Sequence, residues 1–194
     1  MNVAFVIGNG ESRAPVDLSK IHHRGTVYGC NAVYRDFTPD HLIAVDDKML
    51  KELDANSVAD RMPVWTYLKK HRSDRPYRFF DHTLGWSSGP SALKLAVDHA
   101  ADRVYILGFD YSGVDNTINN IYAGTQNYRS RGSVPTYYRN WLWQTRKVIA
   151  DNPHVEFHRV IDEDCLPSNS FHDLLNIHHE SVEDFTERTR NGQF

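Results

Sequence analysis

The sequence predicts a single α/β domain of the Rossmann-like type, in which helices flank a mostly parallel sheet. Short apolar runs rich in β-branched and aromatic residues alternate with stretches of helical periodicity, and this alternation is typical of a parallel sheet covered by helices. The chain has 194 residues, 40% of them hydrophobic, which is enough for one complete core. A long polar segment after the sixth apolar run is expected to form a lid-like loop.

Seven apolar runs are predicted to be strands, because each is short and bounded by turn residues. In chain order they are Val3–Ile7, 26–29, 41–45, 63–66, 78–80, Arg103–Leu107 and 155–160.

Three helices are predicted between these strands. One begins after Ser87-Ser88-Gly89-Pro90, because a hydroxyl residue and a proline are typical of a helix start. A second covers about 136–150 and ends before Asn152-Pro153. A shorter helix is expected over 48–54.

The chain divides into one main domain and a tail. Residues 1–165 are predicted to form the α/β domain, with the lid-like loop at 108–135, which is rich in Gly, Asn, Ser and Tyr. Residues 166–194 are interpreted as a C-terminal extension that is either a terminal helix or partly disordered.

Composition excludes several function classes. The net charge is −3, so nucleic acid and anionic lipid are not expected as partners. Two cysteines favour a reducing compartment, and the first apolar run is too short for a signal peptide or a membrane span. We therefore expect a cytoplasmic protein without a membrane span, and leave a homo-oligomer open.

Polar and small residues follow the predicted strands at their carboxyl ends, where open α/β sheets bind ligands. The candidate site residues among these, with those at the main helix start, are Gly8, Asn9, Gly10, Ser12, Asn31, Asp46, Ser87, Ser88, Gly89 and Asp110; Cys30, Asp47 and Tyr111 adjoin them at the same strand ends. Their amide, hydroxyl and carboxylate groups suit a ribose, a base edge and a phosphate. The α/β domain is therefore predicted to bind a nucleotide.

Each of these motifs also has a structural explanation. Gly8 and Gly10 match only part of the dinucleotide fingerprint, because Arg13 stands where its third glycine would be; a plain turn explains them equally well. The serines before the main helix are typical of an N-cap. The pair Asp46-Asp47 suits either a divalent metal or a helix cap, and no metal site is predicted.

Cations and aromatic residues are interleaved in 128–131 and 137–143. Such a mixture can stack bases and neutralise phosphates, or can form a helix with tryptophans on the core face and arginines in water. The second alternative is favoured for Trp141. Arg129 and Arg131, in the lid-like loop, are candidates for binding phosphates.

Three stretches together resemble a known family. They are VIGNGES (Val6–Ser12), YGCN (28–31) and SSGPSALKLAVDHAADRVYILGFDY (87–111). In this order they resemble the bacterial lipooligosaccharide sialyltransferases, which use a CMP-linked sugar and no metal, and the related GNGxS-type families that include a hydroxymethylpterin diphosphokinase. The resemblance covers roughly the first 111 residues.

The resemblance implies roles for individual residues. Gly8, Asn9 and Gly10 would contact phosphate and ribose, Asn31 the nucleotide, and Asp46 lies where the family presents an amide. Ser87, Ser88 and Gly89 would hold the nucleotide from the other side. Tyr122 and Tyr128 are the nearest candidates for the family tyrosines that bind the leaving phosphate.

The chain departs from the family at the general base. That base is a histidine in the lid-to-helix segment, and 108–149 contains no histidine. Asp110 and Tyr137 are the candidate substitutes.

Three functions follow as hypotheses. The leading one is a metal-independent, sialyltransferase-like glycosyltransferase that uses a nucleotide sugar and an unidentified acceptor, with no resident cofactor. The second is a Mg²⁺-dependent diphosphokinase or nucleotidyl-transfer enzyme. The third is a nucleotide-binding protein without catalytic activity.

Overall fold

The computed structural model describes residues 1–67, 73–81 and 85–194. Eight strands form one sheet in which every pairing is parallel. They are β1 (Val3–Ile7), β2 (Thr26–Cys30), β3 (His41–Ile43), β4 (Val64–Thr66), β5 (Arg78–Phe79), β6 (Arg103–Leu107), β7 (Glu156–Ile161) and β8 (Ile177–Ser181). The predicted α/β class is therefore confirmed.

Four helices flank the sheet in the described part of the chain: α1 (Asp47–Ala55), α2 (Ser88–Asp98), α3 (Arg139–Asp151) and α4 (Val182–Asn191). α2 begins at the predicted serine pair, whereas α3 begins three residues later than predicted. The core face of α3 carries Thr145, Val148 and Ile149, all buried.

The strand order places two loops side by side. The order is β5-β4-β3-β2-β1-β6-β7-β8, so the chain builds outward from β1 to β5 and then returns to place β6 on the other side of β1. β1 and β6 are paired along their full length, from Val3 opposite Arg103 to Ile7 opposite Leu107. The direction of winding reverses between them, and open α/β sheets bind ligands at such a point.

The strand β8, at one edge of the sheet, was not predicted from the sequence. His178 and His179 lie within it, beside His158 and Arg159 of β7. Polar residues are common in edge strands, so β8 lacks the apolar run that marks the other strands. After β8, α4 contributes Phe185, which is fully buried against Phe5 and Tyr105.

The segment 108–135 contains no helix or strand, only an isolated bridge between Val114 and Thr117. It is attached to the rest of the molecule at several points: the Ile121 main-chain N–H donates to the Asn9 carbonyl (2.9 Å), and Tyr122 is 4% exposed. A lid function for this segment stays a prediction. Within the described residues, no helix has the length and apolar character needed to cross a membrane.

Candidate functional site

A cleft of about 270 Å³ lies at the carboxyl edge of the sheet, where the winding reverses. It is lined by the chain that follows β1, β2, β3 and β6 and by the first turn of α2. The structure brings together here nine of the predicted site residues: Gly8, Asn9, Gly10, Asn31, Asp46, Ser87, Ser88, Gly89 and Asp110.

Six other predicted residues do not line this cleft: Ser12, Tyr122, Tyr128, Arg129, Arg131 and Tyr137. Ser12 and Tyr122 are buried next to it. Arg129 is exposed, Tyr137 is 64% exposed, and Arg131 forms an ion pair with Glu11 at 2.6 Å.

Gly8 and Gly10 are needed because the loop after β1 lies directly against the loop after β6. The Gly8 N–H donates to the Leu107 carbonyl (2.8 Å) and the Gly10 N–H to the Gly108 carbonyl (2.9 Å). A Cβ at Gly8 would lie 2.5 Å from the Gly108 oxygen, and one at Gly10 would lie 2.4 Å from the Asp110 carboxylate. The two glycines thus permit contact between loops, which the partial fingerprint did not reveal.

Asp110 joins these two loops through its carboxylate. The Ser12 hydroxyl donates to it at 2.5 Å and the Ser12 main-chain N–H at 3.1 Å. Ser12 is 2% exposed and Asp110 4% exposed. Ser12 therefore holds Asp110 in place from beneath the cleft.

Arg13 supports the glycine loop from below. Its Nε donates to the Gly8 carbonyl (2.7 Å) and its Nη2 to the Tyr122 hydroxyl (3.0 Å), which in turn donates to Asp36 (2.5 Å). The Tyr128 hydroxyl accepts a hydrogen bond from Asn9 Nδ2 at 3.0 Å. Burial raises the pKa of both tyrosines, so both hydroxyls stay protonated at neutral pH. In this arrangement they position the loop.

Ser88 connects α2 to the ends of two strands. Its hydroxyl accepts from the Val45 N–H (3.3 Å) and donates to Asn31 Oδ1 (2.8 Å). Asn31 has a φ of 55°, a left-handed conformation that asparagine tolerates better than most residues. The Ser88 bond thus holds the Asn31 side chain at the cleft.

The first turn of α2 faces the cleft through Ser87, Ser88, Gly89 and Pro90. The N–H groups of a first helical turn have no partner within the helix, and the helix dipole favours negative charge there. A Cβ at Gly89 would lie 3.0 Å from the Phe109 ring. The Ser87 N–H donates to Gln144 Oε1 (3.1 Å) and Pro90 has no N–H, so the main-chain donors that this turn offers to an anion are those of Ser88 and Gly89.

Asp46 precedes α1, but its side chain forms no cap hydrogen bond. It is exposed and lines the cleft, whereas the neighbouring Asp47 is exposed without lining it. Among the described residues, no group of three His, Cys, Asp or Glu side chains is arranged to hold a metal ion. The carboxylate of Asp46 is therefore free to accept hydrogen bonds from a ligand.

Cys30 also lines the cleft, and its thiol is buried. Burial raises the pKa of its thiol to about 12, so the thiolate is scarce at neutral pH. Burial likewise raises the pKa of the Cys165 thiol to about 12.

Tyr111, which follows Asp110 after β6, lines the cleft as its place in the sequence predicts. It is 7% exposed, has a φ of 55° and donates to Thr145 at 2.6 Å; such strain in a bulky residue is often found at functional sites. Asn119 also lines the cleft, and sequence reasoning missed it. The prediction that Trp141 packs in the core is wrong, because Trp141 is 36% exposed and lines the cleft.

Arg159 lies behind the loop after β6 and is 1% exposed. Its guanidinium donates to the carbonyls of Phe109 (3.0 Å) and Leu166 (2.7 Å), between the rings of Tyr111 and Phe171. Burial lowers its pKa. A charged residue inside the apolar run of β7 is the signal that could have identified it.

Comparison with protein-family models, with curated proteins and with solved structures gave no significant match for this chain. The assignment of function therefore depends on the geometry of the cleft.

Proposed function

We propose that this chain is a metal-independent, nucleotide-sugar-dependent glycosyltransferase similar to the sialyltransferases, with the nucleotide of the donor in the cleft. The observation that carries this proposal is the convergence of residues from five separate parts of the sequence at the point where the sheet reverses its winding. Amides, hydroxyls and helix N–H groups in one cleft suit a ligand that combines a base, a ribose and a phosphate.

The donor phosphate is assigned to the first turn of α2, because that turn offers main-chain donors to an anion. Asn31 is held by Ser88 (2.8 Å) and is assigned to the nucleoside. Asp46, exposed at the cleft, accepts hydrogen bonds from sugar hydroxyls.

Asp110 is the better of the two candidates for general base, because it lines the cleft and Tyr137 does not. Two hydrogen bonds from Ser12 orient its carboxylate. In the proposed reaction Asp110 takes the proton of the acceptor hydroxyl, the acceptor oxygen forms a bond to the anomeric carbon, and the nucleotide leaves with its phosphate.

Arg129 and Arg131 are assigned to the leaving phosphate, as their positions in the loop suggest. Arg131 is now paired with Glu11 at 2.6 Å, and neither arginine lines the cleft. This role therefore requires the part of the loop that carries Arg129 and Arg131 to move toward the cleft when the donor binds.

The first test is thermal denaturation with CMP, UMP, GMP and the corresponding sugar nucleotides. A ligand at a hundred times its Kd adds about 2.7 kcal/mol to the free energy of unfolding, which raises the Tm by about 5–10 °C in a chain of this length. Asp46→Asn should weaken binding about tenfold or more, because it loses a hydrogen bond to a charged acceptor. Asp47→Asn, one residue away but outside the cleft, should bind as the unmodified protein does.

Activity is measured as release of the nucleotide from its sugar, with and without EDTA. Release that persists in EDTA supports the proposed transferase. Release that requires Mg²⁺ favours the diphosphokinase-type enzyme, and a thermal shift without turnover favours a binding protein. No shift with any nucleotide would contradict the proposal.

A further inference from the structure

Asn119 is a cleft residue whose orientation is fixed by the main chain. It lies in the segment 108–135 and lines the cleft. The Glu11 N–H donates to its Oδ1 at 2.7 Å. Because a main-chain N–H can only donate, the atom facing it must be the amide oxygen, and Nδ2 must point the other way.

Nδ2 of Asn119 is buried, and it has no hydrogen-bond partner within the described parts of the chain. Buried donors are nearly always paired, so an unpaired one needs an explanation. The adjoining backbone is held in place, because the Ile118 N–H donates to the Ser133 carbonyl (2.9 Å) and the Ile121 N–H to the Asn9 carbonyl (2.9 Å). Asn119 thus presents a fixed amide donor that lacks an acceptor.

Asn9 provides a useful contrast. Its Oδ1 is also buried without a partner in the described structure. Its Nδ2, however, contacts the Tyr128 hydroxyl, which can donate or accept, so the orientation of the Asn9 amide is not fixed in the same way. Asn119 is therefore the residue of the two whose side-chain amide has a determined orientation, with Nδ2 as the free donor.

The first turn of α2 indicates the kind of acceptor that Asn119 would meet. It lies in the same cleft and favours negative charge. Among the described residues that line the cleft there is no Arg or Lys, and the two carboxylates are those of Asp46 and Asp110. The helix N-terminus is therefore the feature that favours an acceptor with negative charge.

We propose that Asn119 is a ligand-binding residue of the cleft and that its Nδ2 donates to an anionic oxygen of the substrate. The two sources of such an oxygen are a phosphate of the nucleotide and the carboxylate of a sugar acid. The proposal deepens the proposed function and rests on it for the identity of the substrate.

The test follows the side-chain amide signal of Asn119 by ¹⁵N NMR, assigned by its loss in Asn119→Asp. The probes are inorganic pyrophosphate, CMP, UMP, GMP and N-acetylneuraminate. We expect at least one probe to shift this signal. A shift with pyrophosphate identifies a phosphate as the acceptor, and a shift with the sugar acid alone identifies its carboxylate.

Asn119→Asp is the informative variant, because it keeps the acceptor for the Glu11 N–H and places a negatively charged oxygen where the donor stood. We expect the Kd for the active probe to rise at least tenfold, because a hydrogen bond to a charged group is lost and a like charge faces the probe. The buried charge also lowers the Tm of the ligand-free protein, so the Kd is measured well below that Tm. Asn116→Asp, an exposed residue of the same segment, should bind as the unmodified protein does.

The outcomes separate this inference from the proposed function. If nucleotides shift the Gly8–Gly10 main-chain signals but leave the Asn119 amide and the affinity of Asn119→Asp unchanged, the role of Asn119 is overturned while the proposed function stands. If pyrophosphate or the sugar acid shifts the Asn119 amide signal and no nucleotide binds, the role of Asn119 stands and the proposed function is overturned. If none of the probes changes the Asn119 amide signal, the role of Asn119 is overturned.

Discussion

At the scale of single residues, the contact between the loops after β1 and β6 determines the floor of the cleft. Gly10 leaves the space that the Asp110 carboxylate occupies, and Ser12 then holds that carboxylate through two hydrogen bonds. Asp110 depends on both residues for its position, although only Gly10 and Asp110 line the cleft.

Gly10→Ala should therefore disturb both stability and binding. The added Cβ would lie 2.4 Å from Asp110, so the carboxylate or the loop must move, and we expect a loss of about 1–3 kcal/mol in the free energy of unfolding. Urea denaturation measures this loss. Gly132→Ala is the matched control, because nothing lies within 4 Å of its Cβ position, and it should change stability by less than about 1 kcal/mol. Equal effects at the two glycines would show that the loop contact is unimportant.

At the scale of elements, the segment 108–135 is fixed to α1 by a buried carboxylate. Glu52, 5% exposed, accepts hydrogen bonds from Tyr34 (2.6 Å), Arg35 (2.7 Å) and Asn127 (2.6 Å). Arg35 also donates to Thr125 at 2.7 Å. These contacts hold the part of the segment around Thr125 and Asn127, and they must loosen if that part acts as a lid.

Glu52→Gln should loosen the segment without unfolding the sheet. The amide keeps the shape of the side chain but cannot accept all these hydrogen bonds, and removal of one partner of a buried ion pair is strongly destabilising. Hydrogen exchange should accelerate about tenfold or more over 121–128, with β1 and β6 unchanged. Glu183→Gln, exposed on α4, is the control. Unchanged exchange over 121–128 would mean that Glu52 does not hold the segment.

The elements also show what the sequence can predict. After their first residues, Val3 and the charged Arg103, the strands β1 and β6 are apolar and buried, so their positions follow from the residues alone. The edge strand β8 carries His178, His179 and Glu180, and only its pairing with β7 makes it a strand. Its conformation depends on a tertiary contact that a single-sequence pattern does not contain.

The candidate site could likewise be predicted only where the local sequence determines the position of a residue. Residues directly after strands or before α2 could be collected, because parallel strands end at one edge of a sheet. Asn119 lies in a segment without periodicity and reaches the cleft through the Glu11 hydrogen bond. Arg129 and Tyr137 carried suitable chemistry, but their distance from the cleft is set by the path of the loop and the start of α3.

At the scale of the whole molecule, histidines that are partly shielded from water should make the fold sensitive to acid. Desolvation lowers the pKa of His41 and His179, both half-buried, to about 4. It also lowers the pKa of the half-buried His158 and of His99, whose residue surface is exposed. In the unfolded chain a histidine titrates near 6.5. Between these pH values the unfolded state binds more protons than the folded state. The contribution of these histidines to the free energy of unfolding is therefore fully present above about pH 6.5 and is lost as the pH falls toward 4.

Urea midpoints measured from pH 7 to pH 4.5 should decline accordingly. His41→Gln should reduce the decline, because one of the depressed groups is removed. Glu180 acts in the opposite direction, since burial raises its pKa, but it is one group against four. A midpoint that is constant or rises over this range would contradict the prediction.

We propose the cleft between the Gly8–Gly10 loop and the first turn of α2 as a nucleotide site. A crystal structure of the protein with the nucleotide that gives the largest thermal shift tests this directly. We expect the phosphate at Ser87–Gly89 and the nucleoside against Asn31. A nucleotide bound elsewhere on the molecule, with this cleft empty, would contradict this proposal.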